Sequence, residues 1–190
     1  MAEYVRVAVD AMGGDNAPLE IVKGAVCAVN ANSQVRVLLL GDETAVRTEL
    51  ARYSYPEDRV EVIPTTEVIE MAEPPVNAIR TKRDSSIVRG MKMVHDGEAD
   101  AFVTAGSSGA TLVGGQIIVG RIKGIERPPL APLLPTAKGP VLLIDCGANV
   151  DARASQLVQF AQMGSIYMEN VIGVTKSRLS ALRRRRAMHW

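Results

Sequence analysis

Three short apolar runs separated by helix-length segments fill the first 63 residues, and this alternation limits the chain to few folds. Val5 to Asp10, Val35 to Leu40 and Val60 to Ile63 read as buried strands. From Pro18 to about Asn32 a 3.6-residue period puts Val22, Val26 and Val29 on one face of a helix. Pro18 suits the first helical turn, where its missing N–H costs nothing. Gly41 breaks the second strand, and Asp42 can N-cap a helix carrying Val46, Leu50 and Tyr53. Strands alternating with helices in this way imply an α/β fold with a mainly parallel sheet covered by helices.

The rhythm then loosens. Thr65 to Pro75 is a long connection, of the kind that is often functional in a compact domain. A short helix around Asn77 to Thr81 and a longer one from about Ser85 to Asp96 follow, the second with Ile87, Val88, Met91 and Val94 as its apolar stripe. Ala101 to Thr104 predicts another strand, Gly106 to Gly109 a tight loop, and the next stretch a glycine-rich helix to about Lys123. Pro128, Pro129, Pro132, Pro135 and Pro140 exclude a helix and predict an edge hairpin, Leu130 to Thr136 with Val141 to Asp145. A helix from Ala152 to about Asn170 should turn Leu157, Ala161, Gly164 and Met168 inward, and residues 170–174 should form a fresh strand. No linker divides residues 1–174, which are expected to form one domain. Residues 175–190 are expected to be a non-native or disordered basic tail, or alternatively a genuine tail that attracts anionic lipid.

Composition narrows the function. Aromatic residues are 4% of the chain against 47% hydrophobic, so the core must come from Val, Ile, Leu, Ala and Met, and a base-stacking nucleic-acid surface is disfavoured. The net charge is +1, but Lys176, Arg178 and Arg183 to Arg186 lie in the last sixteen residues without an acid, leaving the rest net acidic. An acidic body must catch any small anion at a local site. Cys27 and Cys146 form no CxxC pair, and two histidines supply no metal cluster. Cys27 is expected to be a core residue, Cys146 a small buried apolar residue in preference to a strand-end nucleophile that takes an acyl group, and His95 a surface residue. No basic leader or membrane-length apolar run is present, which predicts a cytoplasmic protein.

The residues suited to chemistry lie at predicted strand ends. In Thr104-Ala105-Gly106-Ser107-Ser108-Gly109-Ala110 two glycines flank two hydroxyls where a helix begins. Free N–H groups there, approached closely across glycine, make an anion site; an ordinary junction with a serine N-cap fits the pattern equally. Lys82-Arg83-Asp84-Ser85-Ser86 puts two cations before two serines, with Lys82 able to neutralise a phosphate, while Asp84 as N-cap would repel one. Asp10-Ala11-Met12-Gly13-Gly14-Asp15-Asn16 lies where a dinucleotide fingerprint would sit but lacks GxGxxG, and no GxxxxGK[ST] occurs, so nucleotide readings lose support. Gly13 and Gly14 make a tight turn that leaves Asp15 and Asn16 to face a crevice at the carboxyl ends of strands. Asp145 to Asp151 offers two acids and the Asn149 amide, either to orient substrate or to cap the next helix.

Taken in order, these motifs resemble the PlsX family of phosphate acyltransferases. The opening Val7 to Asp15 through Ala17-Pro18 is similar to the family's signature, Lys82 to Ser86 to its K-x-D-S-S element, and Thr104 to Ala110 to its S-A-G-N-T-G-A loop. Arg127-Pro128-Pro129-Leu130 resembles R-P-A-L, Ile144 to Asp151 resembles L-D-x-G-A-N-x-D, and Gln159 to Gly164 with Tyr167 matches a further helix. The resemblance runs from residue 4 to about 174.

It implies a three-layer α/β/α fold like that of phosphotransacetylases and isocitrate dehydrogenase-type enzymes. The implied reaction moves a long-chain acyl group from acyl carrier protein to inorganic phosphate, for phospholipid synthesis. Partners implied are acylated carrier protein, phosphate and a second copy in a homodimer, with possible peripheral membrane contact and no nucleic acid. No cofactor and no metal is implied. The residues that would bind phosphate or substrate are Asp10, Gly13, Gly14, Asp15, Asn16, Lys82, Ser85, Ser86, Gly106, Ser107, Ser108, Gly109, Arg127, Asp145 and Asn149, with Lys82, Ser108 and Asn149 as catalytic candidates. Family members are longer, so the chain by itself is expected to be inactive or nearly so. The alternatives are a fragment that keeps only phosphate or partner binding, and a phosphotransacetylase-like enzyme using acyl-CoA.

Overall fold

A computed structural model describes residues 4–149 and 151–181. The chain forms two compact units that divide between Arg121 and Ile122.

The first unit is built on the expected alternation. Strand β1 (Val5–Asp10) is followed by helix α1 (Leu19–Ala31), strand β2 (Val35–Gly41), helix α2 (Glu43–Leu50) and strand β3 (Val60–Pro64). Helices α3 (Pro75–Thr81) and α4 (Ser86–His95), strand β4 (Ala101–Val103) and helix α5 (Ser108–Gly114) complete it. Strand order is β3-β2-β1-β4, with every pairing parallel. The chain therefore steps outward from β1 to β3 on one side and returns to lay β4 on the other. The order reverses between β1 and β4.

Strand β2 is apolar on both faces because both are covered. Val37 and Leu39 pack with Val22, Ala25, Val26 and Val29 of α1 and Val46 and Leu50 of α2. Leu38 and Leu40 face the opposite way, into a cluster with Ala8, Ala99 and the partly buried Met93 and Val94. Each fully buried Val or Leu among these contributes roughly 1.5–3 kcal/mol. This is the three-layer arrangement that the resemblance implied. Asp42 caps α2 as expected, its carboxylate accepting from the Ala45 N–H at 2.7 Å. Tyr53 lies beyond the end of α2 but packs on the same cluster.

Several expectations need correcting. Ser85, not Asp84, caps α4: the Ser85 hydroxyl accepts from the Val88 N–H, while the Asp84 carboxylate is held by Thr66 and Arg89. Cys27 is exposed, since α1 buries residues 22, 25, 26 and 29 and position 27 falls outside that stripe. His95 is exposed, as expected.

In the second unit, strands β5 (Leu133–Thr136) and β6 (Gly139–Leu142) pair antiparallel as a two-stranded sheet of their own rather than as an edge of the parallel sheet. Pro135 faces Pro140 across the pair, so each strand lacks one N–H donor, and β5 is exposed along its whole length. Helix α6 (Ala154–Asn170) buries Gln156, Phe160, Gly164 and Met168. Leu157 is exposed, so the inward face starts one residue earlier than its apolar pattern suggests. Gln156 turns inward because its side chain accepts from the Arg153 N–H at 2.9 Å.

Residues 170–174 do not form a strand. Gly173 has φ 81°, and the Ile172 and Val174 N–H groups fold back to the carbonyls of Tyr167 and Met168. Of the basic stretch, Ser177 bonds back to α6, donating to Glu169 at 2.8 Å. The four consecutive arginines and Trp190 lie outside the described residues.

Candidate functional site

The strand order of the parallel sheet reverses between β1 and β4, and the carboxyl ends of those strands are where sheets of this kind bind ligands. Two glycine-bearing loops leave those ends, residues 11–16 after β1 and 104–109 after β4. A hydrogen-bond relay joins them. The Gly106 N–H donates to Thr104 Oγ1 at 2.9 Å, and the Thr104 hydroxyl donates to Asp10 Oδ2 at 2.7 Å. Asp10 is 1% exposed, and its other oxygen accepts from the Met12 N–H at 3.1 Å.

Glycine is required where these loops meet. A methyl group on Gly13 would stand 2.8 Å from the Gly106 nitrogen and collide with the Asp10 carboxylate. Gly14, with φ 95°, lies against Ala105 and adopts a conformation that side chains disfavour. Asp15 and Asn16 are exposed at the outer end of the turn.

Behind Gly106, Ser107 is buried and caps α5, accepting from the Ala110 N–H at 3.2 Å. Ser108 is exposed. The Ser108 and Gly109 N–H groups belong to the first helical turn, which has no acceptors for them within the helix. Gly109 in turn faces Pro75, whose Cγ would lie 2.7 Å from an added methyl.

The Lys82 to Ser86 element is occupied otherwise. The Lys82 ammonium donates to the Val68 carbonyl at 2.6 Å and to Glu73 Oε1 at 2.5 Å. Asp84 accepts from the Thr66 hydroxyl at 2.7 Å and from Arg89 at 2.8 Å. The Ser85 hydroxyl donates to the Lys82 carbonyl, and Ser86 is buried. Charge follows this pattern. The Lys82 bond, reinforced by the Glu70 N–H, holds the Glu73 pKa below the ordinary carboxylate value. The Thr66 hydroxyl and amide do the same for Asp84, with Arg89 adding to them.

Arg127, Asp145 and Asn149 belong to the second unit. Burial works against the Asp145 charge, yet the Leu130 and Asn149 amides, the Asn149 side chain and the Ala148 amide together keep its pKa low. The Asn149 side-chain amide donates to Asp145 at 3.1 Å and to the Pro128 carbonyl at 3.3 Å, a pattern that pins the 145–149 loop. Arg127 lines an open polar cavity with Asp151 and Arg153. Cys146 is exposed on this loop rather than buried, contrary to expectation. A separate apolar cavity of about 470 Å³ is lined by Ile122, Pro129, Ile144, Met163, Ile166 and Tyr167.

Asp10, Gly13, Gly14 and Gly106 are thus brought together, and Lys82 and Ser85 belong to a second cluster around the 65–75 connection. Two residues of this machinery carried no assignment from sequence, Thr104 and Glu73. Thr104 had a signal, a hydroxyl at a strand end beside glycine. Glu73 had none, since nothing local ties it to a lysine nine positions on.

A family model described as a fatty acid synthesis protein matches residues 5–184. The chain belongs to that family, PlsX. Among curated members, the phosphate acyltransferase of Halothermothrix orenii is 45% identical over 178 residues, covering 94% of this chain and 53% of its own length. That of Alkaliphilus oremlandii is 48% identical over 170 residues, covering 90% and 50%. The chain spans about half the length of the curated PlsX relatives it matches. Among solved structures, a phosphotransacetylase from Streptococcus pyogenes superposes with a TM-score of 0.63 at 18% identity, over 90% of this chain and 55% of that one. The EutD phosphotransacetylase from Staphylococcus aureus gives 0.58 at 20% identity, over 84% and 51%. The PlsX chain shares their fold. Among its described residues, no helix is long and apolar enough to cross a membrane.

Proposed function

We propose that this chain supplies the phosphate-binding part of an acyltransferase that moves a long-chain acyl group from acyl carrier protein to inorganic phosphate. The observation that carries the reading is the meeting of two glycine loops at the switch point, with Gly13 packed on the Gly106 N–H and the relay to Asp10 beneath. Glycine lets an anion approach the backbone, and the first-turn N–H groups of α5 supply donors. Curated relatives named phosphate acyltransferase support the same reading.

In the reaction, a phosphate oxygen attacks the thioester carbonyl carbon. A C–O bond forms, the C–S bond breaks, and the carrier's thiolate leaves and takes a proton. The enzyme must hold the two reactants together and offer donors to the developing oxyanion. In this reading, loop N–H groups and the exposed Ser108 hydroxyl supply those donors. Asp10 acts from beneath the loop, since its carboxylate is buried and bonded. Lys82 would reach phosphate only by leaving Glu73. Arg127 and Asn149 are further substrate-binding candidates of the same reading, each held within its own unit.

A cytoplasmic homodimer with peripheral membrane contact belongs to the same reading. Exposed apolar residues of the second unit, such as Ile122, Ile166 and Val171, are surface that a second copy would cover. The test is acyl phosphate formation, trapped as hydroxamate, by this chain and by one extended to the length of its relatives. Each is given long-chain acyl carrier protein, then acetyl-CoA, and phosphate binding is measured alongside. Acyl phosphate from the carrier substrate alone supports the proposal. Turnover of acetyl-CoA alone would move it to phosphotransacetylase chemistry, and binding without turnover by either form would leave only an anion-binding module.

A further inference from the structure

The 65–75 connection is bonded at Thr66, Glu67, Val68 and Glu73 to residues 82–84, between α3 and α4. The Thr66 amide and hydroxyl bond Asp84, Glu67 accepts from the Asp84 N–H at 2.9 Å, and Val68 accepts from Lys82. The last stitch is the ion pair of Lys82 with Glu73, whose carboxylate also accepts from the Glu70 N–H at 2.7 Å. Lys82 closes α3 at its end, its N–H donating to the Ala78 carbonyl, and Glu73 stands two residues before α3 begins. The pair therefore ties the entry of this helix to its exit.

What the tie holds is Pro75. Pro74 and Pro75 have φ restricted by their rings, so holding Glu73 narrows the path into α3. Pro75 lies directly over Gly109, leaving no room there for a methyl group. Helix α3 also packs along α5, whose first turn contains Gly109.

We propose that Glu73 is a positioning residue: through its ion pair with Lys82 it seats Pro75 on Gly109 and so sets the shape of the Gly106–Gly109 loop. Lys82 acts here through Glu73 rather than on a ligand. The pair's meaning for catalysis rests on the phosphate reading of that loop; the mechanical coupling does not.

The test uses the 190-residue chain without phosphate and follows amide hydrogen exchange at Ala110, whose N–H is held by Ser107, with Val26 and Val29 of α1 as controls. Glu73→Gln and Lys82→Met should each speed exchange at Ala110 roughly tenfold with α1 unchanged. Lys82→Arg should stay near the parent, and the Glu73→Gln/Lys82→Met double variant should match either single change, as expected for one shared interaction. Gly109→Ala approaches from the other side and should displace the Glu73 carboxyl resonance. Unchanged exchange at Ala110, acceleration at Ala110 and α1 alike, or an unmoved Glu73 resonance in Gly109→Ala would overturn the proposal. A phosphate titration of the parent is read separately: its failure would count against the anion site and leave the coupling result standing.

Discussion

Asp10 and Thr104, 94 residues apart in sequence, are joined by a 2.7 Å hydrogen bond at the point where the sheet reverses its order. The bond connects the ends of two strands, and the Gly106 N–H hangs from the same hydroxyl. Removing the hydroxyl leaves a buried carboxylate one donor short, which costs about 1–3 kcal/mol. Thr104→Val should lower stability in urea by that amount, and Thr104→Ser should keep most of it. Equal losses in the two variants would assign the effect to packing of the threonine methyl.

Gly13→Ala addresses the same place from the opposite loop. The methyl has no space between the Asp10 carboxylate and the Gly106 nitrogen, and both are fixed by hydrogen bonds. Overpacking of this kind costs about 1–3 kcal/mol. The expected result is a lower urea midpoint together with weaker phosphate binding. Gly24→Ala, where a methyl meets nothing, is the matched control and should be neutral or stabilising.

Cys27 and Cys146 are both exposed and unpaired. Two thiols per folded chain should therefore react promptly with a disulfide reagent, without denaturant. In an active full-length form, Cys146→Ala should preserve turnover, because phosphate attacks the thioester directly. An acyl adduct at Cys146 found by mass spectrometry would reverse that conclusion.

Asp84 links acid sensitivity to the 65–75 connection. Its folded pKa lies below the unfolded value of about 3.9, since Thr66 and Arg89 favour the charged form. Its contribution is therefore present above pH ~4 and lost as pH falls through the lower folded value. Asp84→Asn should be less stable than the parent at pH 7, and the two should converge as the pH falls below the unfolded carboxylate value. A constant difference across that range would show that the carboxylate charge is not what holds Thr66.

Local pattern was enough for much of this molecule. The period of Val22, Val26 and Val29, the doubly apolar β2 and the Asp42 cap depend on near neighbours, and each is found as read. The ordered motifs sufficed for the family as well. Burial and partnership did not follow, because they depend on which surfaces meet. Cys27 lies one residue off a buried stripe, and α6 turns Gln156 inward where Leu157 is the apolar residue. Residues 170–174 carry strand-like side chains, yet Gly173 reverses the backbone onto α6 and no strand forms. Lys82 and Ser85 have the residue types of an anion site, but a carboxylate at Glu73 and an open helix end claimed them first. Local sequence determined most of the elements of the first unit, since dihedral preference and period act over a few residues. Only the tertiary structure decided that β4 lies beside β1, and with it that Thr104 would reach Asp10 and Pro75 would cover Gly109.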